Sequence, residues 1–124
     1  MIKLTFCLIR RPEFTRETFQ DYWFNVHAPL VASVKDVLRI RRYVQLHSLP
    51  VEVSADTRAA RGGPEDYDGV AELWWDSFED MALTASDPAA REAGRLLLED
   101  EKRFIDLSKS PLWWGQEREI VGAP

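Results

Sequence analysis

The chain has 124 residues, 45% hydrophobic and 30% charged, enough for one core and unlike a disordered segment. Its net charge of −5 repels phosphate backbones, which argues against a nucleic-acid partner. There is no apolar run of the ~20 residues a membrane span needs, no signal-peptide pattern in "MIKLTFCLIRR", and one cysteine, Cys7. A cytoplasmic protein that meets no membrane is expected.

"IKLTFCLIR", rich in β-branched and aromatic residues, predicts a first strand over about residues 2–10. Thr15, three residues before Thr18, is an N-cap candidate for a helix running to about His27, along which Phe19, Trp23, Val26 and Leu30 recur at helical spacing. Ala28, which precedes Pro29, is biased away from helical angles, so the helix is expected to break there. Pro29 then opens a second short helix, "PLVASVKDVL".

"RIRRYVQLHSL" alternates and reads as the second strand, with Tyr43, Gln45 and His47 on its polar side. From Pro50 to Asp66 no period is visible, and a long loop is expected. "YDGVAELWWD" is the third strand. Ser77 caps a short helix, and Asp87-Pro88 opens a longer one to about Asp106, with Ala90, Ala93, Leu97 and Phe104 near one side. "SPLWWGQEREIV" is the fourth strand, and the acidic run Glu99–Glu101 reads as a solvated helix face.

The order β-α-β-β-α-β is that of an α+β, ferredoxin-like split βαβ fold in a single domain, an antiparallel four-stranded sheet with helices on one face. Four of the five tryptophans stand in two pairs, Trp74-Trp75 and Trp113-Trp114. Neighbours on a strand point to opposite faces, so such a pair implies that both sheet faces are covered. The helices cover one, and a second copy of the chain, packed sheet face to sheet face, is expected on the other.

"FTRETFQDYWFNVHAPLV", "YDGVAELWWDSFEDM" and "DEKRFID" together resemble the EthD family, a branch of the dimeric α+β barrels. The resemblance implies a homodimer with a cleft between sheet and helices in each subunit. It implies no cofactor and proton-transfer chemistry on a small aromatic, polyketide-like or lactone molecule: cyclisation, dehydration, decarboxylation or isomerisation. The alternative is a non-catalytic binding or accessory protein for a hydrophobic metabolite.

His27, in "HAPL", is the leading catalytic candidate, because an imidazole can take and return a proton near neutrality. Capping of its own helix by donation to a carbonyl is the competing reading. Glu72 sits in an otherwise apolar strand, where a carboxylate is costly to bury unpaired; it orients His27, acts as a base, or meets water or an arginine such as Arg42. Tyr22 is a candidate acid or oxyanion donor, or a core tyrosine. Trp23, Asn25, His47, Trp74 and Phe104 complete the expected substrate contacts, although Trp23 as a core anchor and His47 as a surface residue would look the same. Two histidines and one cysteine form no local metal motif, so no metal is expected.

Overall fold

The computed structural model describes residues 1–122. Its strands are β1 (Ile2–Leu8), β2 (Arg42–His47), β3 (Gly69–Trp75) and β4 (Leu112–Gly115). They form one antiparallel sheet in the order β2-β3-β1-β4, the ferredoxin-like arrangement. The helices are α1 (Arg16–Tyr22), α2 (Ala28–Ser33), α3 (Val51–Ala59), α4 (Phe78–Ala82) and α5 (Pro88–Phe104).

Side-chain caps set several helix starts. Thr15 accepts from the Thr18 amide at 3.1 Å, while Thr18 Oγ1 takes the Thr15 N–H at 2.9 Å, a reciprocal capping box. Ser77 and Asp87 cap α4 and α5 by accepting the Asp80 and Ala89 amides.

The expected break at Pro29 is corrected. The chain passes from α1 to α2 through one π turn, Trp23–His27, in which the Ala28 amide bonds to the Trp23 carbonyl five residues back. Ala28 itself is helical, at φ −58 and ψ −45. Proline has no N–H to give and its ring collides with the carbonyl four residues earlier in a regular helix. The wider turn accommodates it without ending the helix. Trp23 and His27 both end up buried.

The expected loop from Pro50 to Asp66 is also corrected: it contains α3. That helix buries none of its residues, so it carries no apolar period for sequence reading to find. The fourth strand is four residues long, shorter than "SPLWWGQEREIV".

Register assigns the sheet faces. Leu4, Phe6 and Leu8 on β1, Ala71, Leu73 and Trp75 on β3, and Tyr43 on β2 all contribute to the helix-side cavity. Their alternates, Lys3, Thr5 and Cys7 with Glu72, Trp74, Arg42 and Val44, lie on the other face. The main core joins Phe6, Leu8 and Ala71 of the sheet to Phe19, Trp23, Phe104 and Ile105. Trp23 lies so close to β3 that a Cβ on Gly69 would run into its ring and come within 2.9 Å of the Leu46 carbonyl oxygen. No described helix is long and apolar enough to cross a membrane.

Candidate active site

Between the sheet and the helices lies a cavity of about 220 Å³. Its wall is almost wholly apolar, with sheet residues such as Leu4, Leu73 and Trp75 facing Val31, Gly94 and Leu97. Three titratable side chains reach it: His27, Tyr43 and Glu101. An apolar pocket with a few convergent polar groups is the usual form of a small-molecule site.

The π turn presents His27 towards α5, where its Nδ1 lies 2.7 Å from Asp100 Oδ2. The other carboxylate oxygen of Asp100 accepts the Tyr22 hydroxyl at 2.6 Å. A carboxylate can only accept, so Nδ1 carries the proton and Nε2 is the free, basic nitrogen. Burial lowers the His27 pKa below the ordinary imidazole value, opposed by the hydrogen bond and charge of Asp100. The ring is therefore neutral at neutral pH. It does not cap its helix; its partner is a carboxylate, not a carbonyl.

Glu101 is the second titratable group on the wall. Burial, and next the nearby charge of Asp100, raise its pKa to about 7. Among the described residues its carboxyl has no ion-pair partner. Near neutrality it can therefore hold a proton and release it, complementing a neutral imidazole on the same wall. Tyr43 is pushed up to about 12 by burial and keeps its proton throughout.

The structure gathers Tyr22, Trp23 and Phe104 around His27. Trp23 lines the cavity and Tyr22 holds Asp100. Phe104, expected to touch substrate, is a correction: it is fully buried in the core off the cavity wall and backs the His27 ring, with centroids 5.1 Å apart. Tyr22 donates its proton to Asp100, so it orients the dyad rather than serving as a free acid.

Glu72 and Trp74 are corrections. Both lie on the opposite sheet face, where Glu72 pairs with Lys3 Nζ at 2.7 Å, so Lys3 and not Arg42 is its cation. Trp74 is covered by Lys3 and Arg42, whose cationic groups stand 4.7 and 4.5 Å from its ring centroid, and its Nε1–H donates to Glu117. Strand parity put one tryptophan of the pair on each face, and it is Trp75 that lines the cavity.

Asn25 and His47 also lie off the cavity. Asn25 is exposed and donates to Asp21 at 2.8 Å. His47 stacks on Trp23, with ring centroids 4.6 Å apart, and meets Gln45 through Nε2.

Asp100, Glu101 and Tyr43 escaped the sequence reading. A signal for the first two existed: residues 100 and 101 continue the stripe Ala90, Ala93, Leu97, Phe104 at spacings of three and four. An acidic pair on the inward stripe of a helix, not a solvated run, is what "EDE" contains. Among the described residues no three His, Cys, Asp or Glu side chains converge as a metal site would.

The EthD domain profile matches residues 11–108. The chain belongs to the EthD family. It is 26% identical, over an alignment 126 positions long, to the conidial pigment biosynthesis dehydratase EthD of Metarhizium robertsii, covering 98% of this chain and 85% of that protein. Among solved structures, an EthD family protein from Bacillus halodurans superposes with a TM-score of 0.59 at 20% identity, over 95% of this chain and 99% of that one. A dimeric protein of unknown function and ferredoxin-like fold from Bacteroides fragilis superposes with a TM-score of 0.57 at 11% identity, over 94% and 95% of the two chains. At such identities the superpositions speak to the fold.

Proposed function

We propose that this EthD protein is an enzyme that expels water from a small, hydroxylated, enolisable ring ketone by general acid–base catalysis. The observation that carries the reading is a neutral His27, fixed through Nδ1 on Asp100, sharing an apolar cavity with a protonatable Glu101. His27 Nε2 takes the proton α to the carbonyl and the electron pair moves onto the carbonyl oxygen. The enolate then reforms its carbonyl and breaks the β C–O bond, and Glu101 supplies the proton that lets the hydroxyl leave as water. Return of a proton from His27 to Glu101 by way of solvent resets the site.

The name of the Metarhizium relative, a pigment dehydratase, supports a reaction of this class over cyclisation, decarboxylation or isomerisation. Cavity size supports a small ring. An apolar cavity of about 150 Å³ takes one benzene, and 220 Å³ has room for a second fused ring. The scheme requires no metal or organic cofactor. A homodimer closed through the sheet face away from the helices, the dimeric α+β barrel, fits the exposed Leu46 and Trp113 on that face and the dimeric state of the Bacteroides neighbour.

The test uses the β-hydroxy derivative of α-tetralone, which loses one water to give α-naphthol, a change visible in the ultraviolet. Wild type is expected to form the naphthol. His27→Ala should lose about 10²–10⁴-fold in turnover, the usual worth of a positioned acid or base, while remaining folded. A folded His27→Ala protein that turns over normally would sink the assignment. A wild type that binds the ketone without converting it would favour the non-catalytic binding reading.

A further inference from the structure

The Gln45 side chain reveals what the Tyr43 hydroxyl is for. Its Nε2 lies 3.0 Å from the Trp23 carbonyl oxygen, and a carbonyl only accepts, which fixes which end of the amide is nitrogen. The same nitrogen lies 2.7 Å from Tyr43 Oη. One N–H goes to Trp23 and the other to Tyr43, so the tyrosine oxygen is an acceptor. At the far end Gln45 Oε1 stands 2.8 Å from His47 Nε2, which must therefore carry a proton.

The chain thus runs in one direction, His47 to Gln45 to Tyr43, and every polarity in it follows from the Trp23 carbonyl. Tyr43's own O–H has no acceptor among the described residues. It belongs to a half-buried side chain on the wall of an apolar cavity, where an unmet donor is costly. We infer that Tyr43 is the hydrogen-bond donor to the carbonyl oxygen of the bound molecule, which makes ring ketones and the enolates derived from them the ligand class of this cavity. Gln45 and His47 are positioning residues that aim this hydroxyl. A donor placed where enolate charge develops stabilises the transition state more than the ground state. Its catalytic sense rests on the dehydration reading; its binding sense does not.

The experiment is binding of α-tetralone and of tetralin, the same skeleton without the oxygen, with the infrared carbonyl stretch of bound tetralone as the direct readout. At about pH 9 Glu101 is ionised and can only accept, while Tyr43 still donates. The carbonyl stretch should lie below its position in an apolar solvent in wild type and in His27→Ala, and return to that position in Tyr43→Phe. Tetralone affinity should fall about 3- to 10-fold in Tyr43→Phe, as expected for one lost hydrogen bond, with tetralin affinity unchanged. Gln45→Leu should diminish the infrared shift with tetralin affinity intact; an unaltered shift would overturn its positioning role. An unshifted stretch in wild type, the same shift in Tyr43→Phe, or no binding of either compound overturns the inference. An unshifted wild-type stretch overturns the inference even if a variant fails to fold. A shifted stretch with no naphthol from the hydroxylated ketone would sink the dehydration reading alone.

Discussion

At the scale of single residues, the His27–Asp100–Tyr22 chain fixes the tautomer on which the proposed chemistry depends. Asp100 raises the His27 pKa against the larger effect of burial. Asp100→Asn should therefore lower the His27 pKa further, and the acid limb of the activity profile should move to lower pH. Activity should also fall, because an amide can donate to Nδ1 and put the imidazole proton on the wrong nitrogen. The proposed dehydration requires His27 neutral and Glu101 protonated. It should rise with pH through a value below the ordinary imidazole range and fall above about 7, where Glu101 ionises. A pH profile of kcat/KM checks both limbs; an alkaline limb that persists in Glu101→Gln would remove Glu101 from the mechanism.

Between elements, two glycines separate packing from function. Gly69 lets β3 pass against the Trp23 ring, and the added Cβ of Gly69→Ala would overpack that contact. Such a substitution should destabilise by about 1–3 kcal/mol, measurable by urea titration. Gly94 is the opposite case: it sits within α5 on the cavity wall, and a Cβ there meets nothing within 4 Å. Gly94→Ala should stabilise by about 0.5–1 kcal/mol through helix propensity. Gly94→Leu should keep the fold but fill the cavity and abolish tetralone binding. A Gly94→Leu protein that still binds it with wild-type affinity would move the ligand site elsewhere.

For the whole molecule, Glu101 makes stability depend on pH in an unusual sense. Its folded pKa of about 7 lies above the ordinary 4.5, so between those values the folded state holds more protons than the unfolded one. The stabilisation is complete below 4.5 and is lost as pH rises to about 7. His27 acts in the other direction: its folded pKa is depressed, so its contribution is lost as pH falls below 6.5. Glu101→Gln should thus be more stable than wild type above pH 7, by up to about 3 kcal/mol in denaturant titration, and converge on it in acid. The sheet face turned away from the helices makes a prediction of its own. Trp113 is 49% exposed opposite Thr5 of β1, and Trp113→Lys should convert a dimer to a monomer on sizing with light scattering. A wild type that is already monomeric would rule out the sheet-to-sheet dimer.

Periodicity and punctuation in the sequence determined what is local. Strand parity split each tryptophan pair between faces, Thr15, Ser77 and Asp87 marked helix starts, and the element order specified the ferredoxin-like sheet. His27, two residues before Pro29, was legible as unusual for the same reason, since it stands where a helix must adjust to a missing N–H. Tertiary structure alone decided what His27 faces. Its carboxylate is Asp100, 73 residues away on α5, and not Glu72, which strand parity left free to point either way and Lys3 holds on the far face. Tyr43 likewise belonged to the polar side of β2, and nothing local says that this polar side turns inward to the cavity. Charge and polarity predict an outward face only while no buried partner exists. Asp100 for His27, and the Trp23 carbonyl for Gln45, become neighbours when the chain closes on itself, and those pairings make burial of the polar groups affordable.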